Sequence, residues 1–322
     1  MDNSFTTPIL FLIFNRPDVT SKVFGQIRNI KPKYLYVAAD GPRQDKPDDF
    51  IFCQETRRII EGIDWECELK TLYRNENLGC GFAVCSAITW FFDQVEEGII
   101  LEDDCFPDIS FFHFCGDLLS KYKEDESIFL ISGTNLQNGN KRGNGSYYFS
   151  NHTITWGWAS WRRARHHFNY DIVDIDQSFK SGKLDHVFQS ISEKSYWRKK
   201  IKMAELGKKN IWDYQWFYTT WKNNGIGITS NVNLIINLGF RNNAIHTFLR
   251  DSIREPETLN SIQFPLIHPA KIIDRFADQY TFKNAFSHSI SRLFRLTKEN
   301  GIRAIWKYSI PKVLNKINEF RY

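Results

Sequence analysis

The chain has 322 residues, 42 of them basic and 37 acidic, a formal charge of +5 and 16% aromatic residues. That length suffices for one large α/β domain with an appendage or for two modest domains, and the aromatic content excludes a disordered chain. No apolar run approaches the length of a bilayer span, and no nucleic-acid partner is expected.

The charge is unevenly placed. Residues 284–322 carry eight Lys or Arg against Glu299 and Glu319, so the rest of the chain is near neutral. Phe286, Ile290, Leu293, Phe294, Ile302, Ile305 and Trp306 are interleaved with these charges, a pattern suited to amphipathic helices on anionic lipid or to a solvated helical cap. All six cysteines fall in the first 115 residues with neither CxxC pairs nor zinc-site spacing, and are expected to be reduced thiols. The chain opens Met-Asp-Asn-Ser and runs into a short apolar segment with no basic stretch before it, unlike a secretory signal. A cytoplasmic protein is expected, with the basic tail a possible site of peripheral membrane contact.

In chain order the patterns predict a strand over Pro8–Phe14, a helix over Val19–Ile30, a strand over Tyr34–Ala39, a helix over Phe50–Gly62 and a strand over Glu68–Tyr73. A helix over Phe82–Val95 follows, then an apolar run that stops at Glu102-Asp103-Asp104. Strands separated by single helices imply right-handed crossovers and a mainly parallel sheet. Further on come a helix from Asp108 to about Lys123, a strand over Ile128–Ser132 and an Asn- and Gly-rich loop over Thr134–Gly145, expected to be mobile. Trp156–Trp161 leads into a basic Arg162–His167. Helices over Glu193–Leu206 and Trp212–Lys222, a strand over Ile228–Leu238 and a loop over Gly239–Thr247, expected near the site, complete the domain. The expected organisation is a large domain over 1–270, with a first half that looks nucleotide-binding (1–105) and a second half (106–270), followed by a basic helical extension over 271–322.

Each predicted strand of the first half ends in polar residues, and such ends converge where open α/β sheets bind ligands. Three consecutive carboxylates at the fourth end repel one another unless a cation lies among them; Mg²⁺ or Mn²⁺ sharing its shell with phosphates would serve, and so would a plain acidic corner before the next helix. Arg16 offers a fork for phosphate or base, or a salt bridge to Asp18. Asp40 could accept from a base or a ribose, or simply turn the chain before Gly41-Pro42. Asn77 and Gly79 precede a helix whose N-terminus could meet a diphosphate. Asp213, flanked by Trp212 and Trp216, is a candidate proton acceptor or a helix cap. His246 could complete a metal shell or lie on the surface. Neither a P-loop nor a GxGxxG follows any strand, which disfavours P-loop kinases and dinucleotide dehydrogenases; a nucleotidyltransferase would be expected to carry a glycine-rich loop where Asn15-Arg16-Pro17 stands.

Taken in order, Phe14-Asn15-Arg16, Ala39-Asp40-Gly41, Leu101-Glu102-Asp103-Asp104, Gly157-Trp158 and Trp212-Asp213 resemble the inverting glycosyltransferases of the GT-A fold, most closely the group around N-acetylglucosaminyltransferase I. The resemblance implies a Rossmann-like α/β fold and a nucleoside diphosphate sugar donor. It further implies that Arg16 and Asp40 hold a uridine, Glu102 and Asp103 the ribose and sugar, Asp104 an Mn²⁺ or Mg²⁺ ion, and that Asp213 is the general base. Trp158 and Trp212 would shape the donor-sugar pocket. The loop around His246 and the basic tail depart from the family pattern; the tail is more similar to bacterial surface-polysaccharide transferases acting on lipid-linked acceptors. A sugar-1-phosphate nucleotidyltransferase and a non-catalytic nucleotide-sugar binder are the alternatives.

Overall fold

The computed structural model describes residues 5–205, 211–240 and 258–286. Its first half alternates β1 (Ile9–Ile13), α1 (Pro17–Ile30), β2 (Tyr34–Ala39), α2 (Pro47–Arg58), β3 (Glu68–Tyr73), α3 (Cys80–Phe92) and β4 (Glu97–Glu102). β5 (Cys105–Pro107), α4 (Ile109–Lys121), β6 (Ile128–Ser132), β7 (Tyr147–Ser150) and β8 (Trp158–Trp161) follow. The remainder comprises α5 (Arg162–His166), α6 (Ile175–Lys180), α7 (Ile191–Glu205), α8 (Asp213–Lys222), β9 (Ile226–Ser230), β10 (Ile235–Asn237) and α9 (Arg275–Thr281).

Local chemistry sets these elements. All five residues of β1 are buried, as a strand covered on both faces requires. Pro17 opens α1, where a missing N–H costs nothing, and Val19, Val23, Phe24 and Ile27 form its buried stripe. Asp108 caps α4 by accepting from the Ser110 N–H at 2.9 Å.

Eight strands form one mixed sheet in the order β3-β2-β1-β4-β8-β6-β9-β7. The β1/β2, β2/β3, β1/β4 and β6/β9 pairs are parallel; β8 runs antiparallel between β4 and β6, and β7 antiparallel beside β9. The expected mainly parallel sheet therefore holds for the first four strands, whereas the second half inserts reversed strands. Helices cover both faces. Phe24, Phe111, Phe112 and Leu118 pack on one face, Phe91, Phe92, Trp158 and Trp216 on the other, each buried side chain worth roughly 1.5–3 kcal/mol. A third apolar cluster centred on Trp197 and Trp221 joins α6, α7, α8 and the region of α9.

Two expectations change here. The strand predicted over Ile228–Leu238 is two, β9 and β10, and β10 leaves the main sheet to pair antiparallel with β5 through Asn237 and Cys105. Leu136 and Gln137, inside the loop expected to be mobile, are buried, with Gln137 Nε2 donating to Thr281 Oγ1 at 2.7 Å. Residues 271–286, the described start of the basic extension, pack on the sheet: Ile273 bridges Phe149, and Asp278 accepts from Ser150 Oγ at 2.5 Å. The rest of the basic extension lies outside the described residues. Among those described, no helix is long and apolar enough to cross a membrane, and all six cysteines are free.

Candidate active site

The first four strands run parallel and in register, so their C-terminal ends deliver Arg16, Asp40, Arg74 and Glu102 to one edge of the sheet. Arg16 turns toward β4 rather than toward Asp18. Its fork donates from Nε and Nη2 to the Asp103 carboxylate, and Nη1 lies 3.0 Å from Asp104 Oδ2. Burial works against the guanidinium charge, but Asp103 and Asp104 outweigh it and hold Arg16 above its ordinary range.

The acids feel the converse. Burial pushes Asp103 up to about 6, with Arg16 opposing. Burial, and then the charges of Asp104 and Asp103, push Glu102 up to about 8. Asp213 adds to that push, which places it in the same electrostatic neighbourhood. Arg16 opposes the shifts of both Glu102 and Asp103.

Asp213 is the first residue of α8, one position inside the helix, where Trp212 stands as cap, and its carboxylate accepts from the Tyr214 N–H at 3.0 Å. Trp158 and Trp212 are buried and stack on one another with ring centroids 5.7 Å apart. They join the start of α8 to the apolar cluster on that face of the sheet. The far end of α8 is tied to the third cluster by Trp221 Nε1, which donates to the Asn151 carbonyl at 2.8 Å.

Asp40 has a structural task. Its carboxylate accepts from the Leu78 and Gly79 N–H groups at 3.0 and 3.1 Å and from Asn77 Nδ2 at 3.0 Å, so it fixes the turn that leads into α3. Gly41 permits this crossing, since a Cβ there would meet the Glu76 backbone at 2.4 Å.

The start of the loop expected near the site does lie there, but the ribbon that carries it escaped the sequence, as did one ion pair. The β5/β10 ribbon folds the turn after Asn237 over the acids: Leu238 N–H donates to the Asp104 carbonyl at 2.7 Å, and a Cβ on Gly239 would meet Asp104 Oδ2 at 2.4 Å. Beside β1, Arg43 grips Asp49 at 2.6 Å while Asn15 donates to the same carboxylate at 2.7 Å, fixing the loop after β2. A buried acid facing a basic loop residue is the signal that could have revealed the second; nothing local announces the first. His246 lies outside the described residues.

No family model matches the sequence, and no curated protein does. Solved structures with a similar fold include UDP-glucose pyrophosphorylase complexed with UDP-glucose (10% identity, 73% of this chain and 94% of that one, TM-score 0.37). Others are mouse xyloside xylosyltransferase 1 (7% identity, 67% and 81%, TM-score 0.34) and a cytidylyltransferase from Leptospira borgpetersenii serovar Hardjo-bovis (11%, 64% and 74%, TM-score 0.32).

Proposed function

We propose that the chain is an inverting, divalent-metal-dependent glycosyltransferase. It would move a sugar from a nucleoside diphosphate donor, UDP-linked and plausibly UDP-GlcNAc, to a hydroxyl of a glycan or glycolipid in surface-polysaccharide synthesis. The observation that carries this is the convergence of Asp213, at the head of α8, with Arg16 and the acids that end β4. Asp213 serves as proton acceptor while the charged cluster at the end of β4 meets the diphosphate, the division of labour that sugar transfer from a diphosphate requires.

The acceptor oxygen attacks the anomeric carbon from the face opposite the diphosphate. A C–O bond forms as the bond to the diphosphate oxygen breaks, its electron pair leaving with UDP, and the acceptor proton passes to an Asp213 oxygen. Configuration inverts. Glu102 and Asp103 would meet the donor's ribose and sugar, and Arg16 anchors Asp103 and Asp104 while remaining about one-third exposed toward the donor.

A metal fits the donor set in one particular way. The oxygens are hard and carry surplus negative charge, yet no group of three His, Cys, Asp or Glu side chains among the described residues forms a protein-only cage. Asp104 is therefore the residue that would hold Mn²⁺ or Mg²⁺ together with the donor's phosphates, and the ion would supply charge stabilisation to the leaving diphosphate. The basic segment 284–322 would keep the enzyme at a membrane surface near a lipid-linked acceptor.

The test is product identity. Incubation with a panel of UDP-sugars, with and without Mn²⁺, should release UDP, fastest with the right acceptor and only with the ion. Pyrophosphate released from UTP and a sugar phosphate would instead make the chain a nucleotidyltransferase, and donor binding without turnover of any kind would make it a binder.

A further inference from the structure

The two margins of the large sheet are unlike. At one, β7 is buried along its length and covered by the segment after residue 266: Ser146 N–H donates to the Ile267 carbonyl, Asp274 N–H to the Phe149 carbonyl, and Ile273 bridges Phe149. At the other, β3 pairs with β2 alone among the described residues. Glu68, Leu69, Thr71 and Tyr73 are exposed, with Leu69 at 40% and Tyr73 at 36%. An uncovered edge of this length is a template for another strand unless something blunts it.

Lysine on an edge is a usual guard, but Lys70 is turned away. Its ammonium lies 5.5 Å from the Tyr36 ring centroid on β2 and 3.4 Å from Glu68 on its own strand. The flank is apolar too. Arg57 of α2 stacks over Tyr73, so α2 covers the face that Leu69 and Tyr73 share, and α2 exposes Phe50, Ile51 and Phe52 in succession. Such a run on the outside of a helix marks an interaction surface.

We infer that β3 pairs antiparallel with β3 of a second copy of this chain about a two-fold axis through Thr71, joining the two sheets. The backbone fixes which groups are offered. Glu68 N–H donates to the Lys33 carbonyl and Arg74 N–H to the Ala39 carbonyl, so the even-numbered residues bond inward to β2. Leu69, Thr71 and Tyr73 then present their N–H and C=O groups outward. With the axis at Thr71, these three pair as Leu69 with Tyr73, Thr71 with Thr71 and Tyr73 with Leu69, each exchanging hydrogen bonds as an antiparallel ladder requires. The same register sets Glu68 opposite Arg74 on both sides of the axis and Lys70 opposite Leu72. Shifting the axis to Lys70 or to Glu68 would set like charges face to face, which cross-strand pairing disfavours. The partner is self-complementary in charge, in hydrogen bonding and in the exposed Leu69 and Tyr73 side chains, the condition for a closed dimer.

Thr71→Pro is the selective perturbation, because it removes an outward N–H that no bond within the chain uses. Sedimentation at micromolar concentration should show a dimer for the wild type and a monomer for Thr71→Pro with an unchanged far-ultraviolet spectrum. If that variant fails to fold, Thr71→Cys decides: two cysteines facing across the axis should form a disulfide-linked dimer under mild oxidation, while the wild type does not. A monomeric wild type, a dimer that survives Thr71→Pro in a folded protein, or Thr71→Cys that remains uncrosslinked would each overturn the inference.

Discussion

Arg16→Met tests the claim that the acids at the end of β4 are held by one guanidinium. The substitution keeps the length of the side chain and removes its charge, leaving Asp103, 5% exposed at its side chain, and Asp104, 13% exposed, without their cation. Removing one partner of a fully buried pair costs about 3–5 kcal/mol, and since Arg16 is itself 35% exposed we expect about 2 kcal/mol here. Asp103→Asn alone should cost about 1–2 kcal/mol, because Arg16 retains Asp104. Groups in direct contact are not additive, so the double variant should lose less than the two single losses combined, by about 1–3 kcal/mol. The pH dependence has a definite sign. Asp103 is pushed up to about 6, so below that value it is protonated in the folded protein and needs Arg16 less; above it the carboxylate is ionised and depends on the guanidinium. The cost of Arg16→Met should therefore be larger at pH 8 than at pH 5. Urea unfolding of the four proteins at both pH values measures every quantity, and additive, pH-independent losses would refute the pairing.

Asp213→Asn should lower kcat by roughly 10²–10⁴ while the Kd for UDP, measured by calorimetry, stays near that of the wild type; a weakened Kd at unchanged kcat would assign the residue to donor binding instead. Gly239→Ala introduces a methyl group 2.4 Å from Asp104 Oδ2, so the turn or the acid must shift, and metal-dependent donor binding should weaken by about tenfold, about 1.4 kcal/mol, with little change in global stability. Asp49 is held below its ordinary value, chiefly by the hydrogen bond from Arg43. Its folded pKa is depressed, so its contribution exists above the usual carboxylate range and disappears as pH falls through the folded value. Asp49→Asn should consequently cost about 1–2 kcal/mol at neutral pH and nothing in strong acid, a convergence that thermal melts across the acid range would reveal.

The chain-order alternation and the acid-tipped fourth strand were legible because they rest on periodicity and local chemistry. A five-residue apolar run such as Ile9–Ile13 tolerates little except a covered strand, and Glu102-Asp103-Asp104 cannot continue one. The reversed strand β8 was not legible: Trp158–Trp161 is buried at every position, and burial alone does not say which way a strand runs. The roles of single polar residues were legible only as alternatives. Asp40 suits a base or ribose and a chain turn equally well on paper, and its contacts in the fold are to the backbone of Gly41, Leu78 and Gly79.

Sequence by itself determined the α/β class, the positions of the first four strands and the acidic end of the fourth, because side-chain period and charge are properties of adjacent residues. Only the tertiary structure decided that Arg16 takes Asp103 and Asp104 rather than Asp18, that the turn at Gly239 covers those acids, and that β3 stands at the margin of the sheet among the described residues. Each of these joins residues far apart in the chain or depends on strand order. Such contacts are selected by the total burial and electrostatics of the packed molecule, which no local window contains.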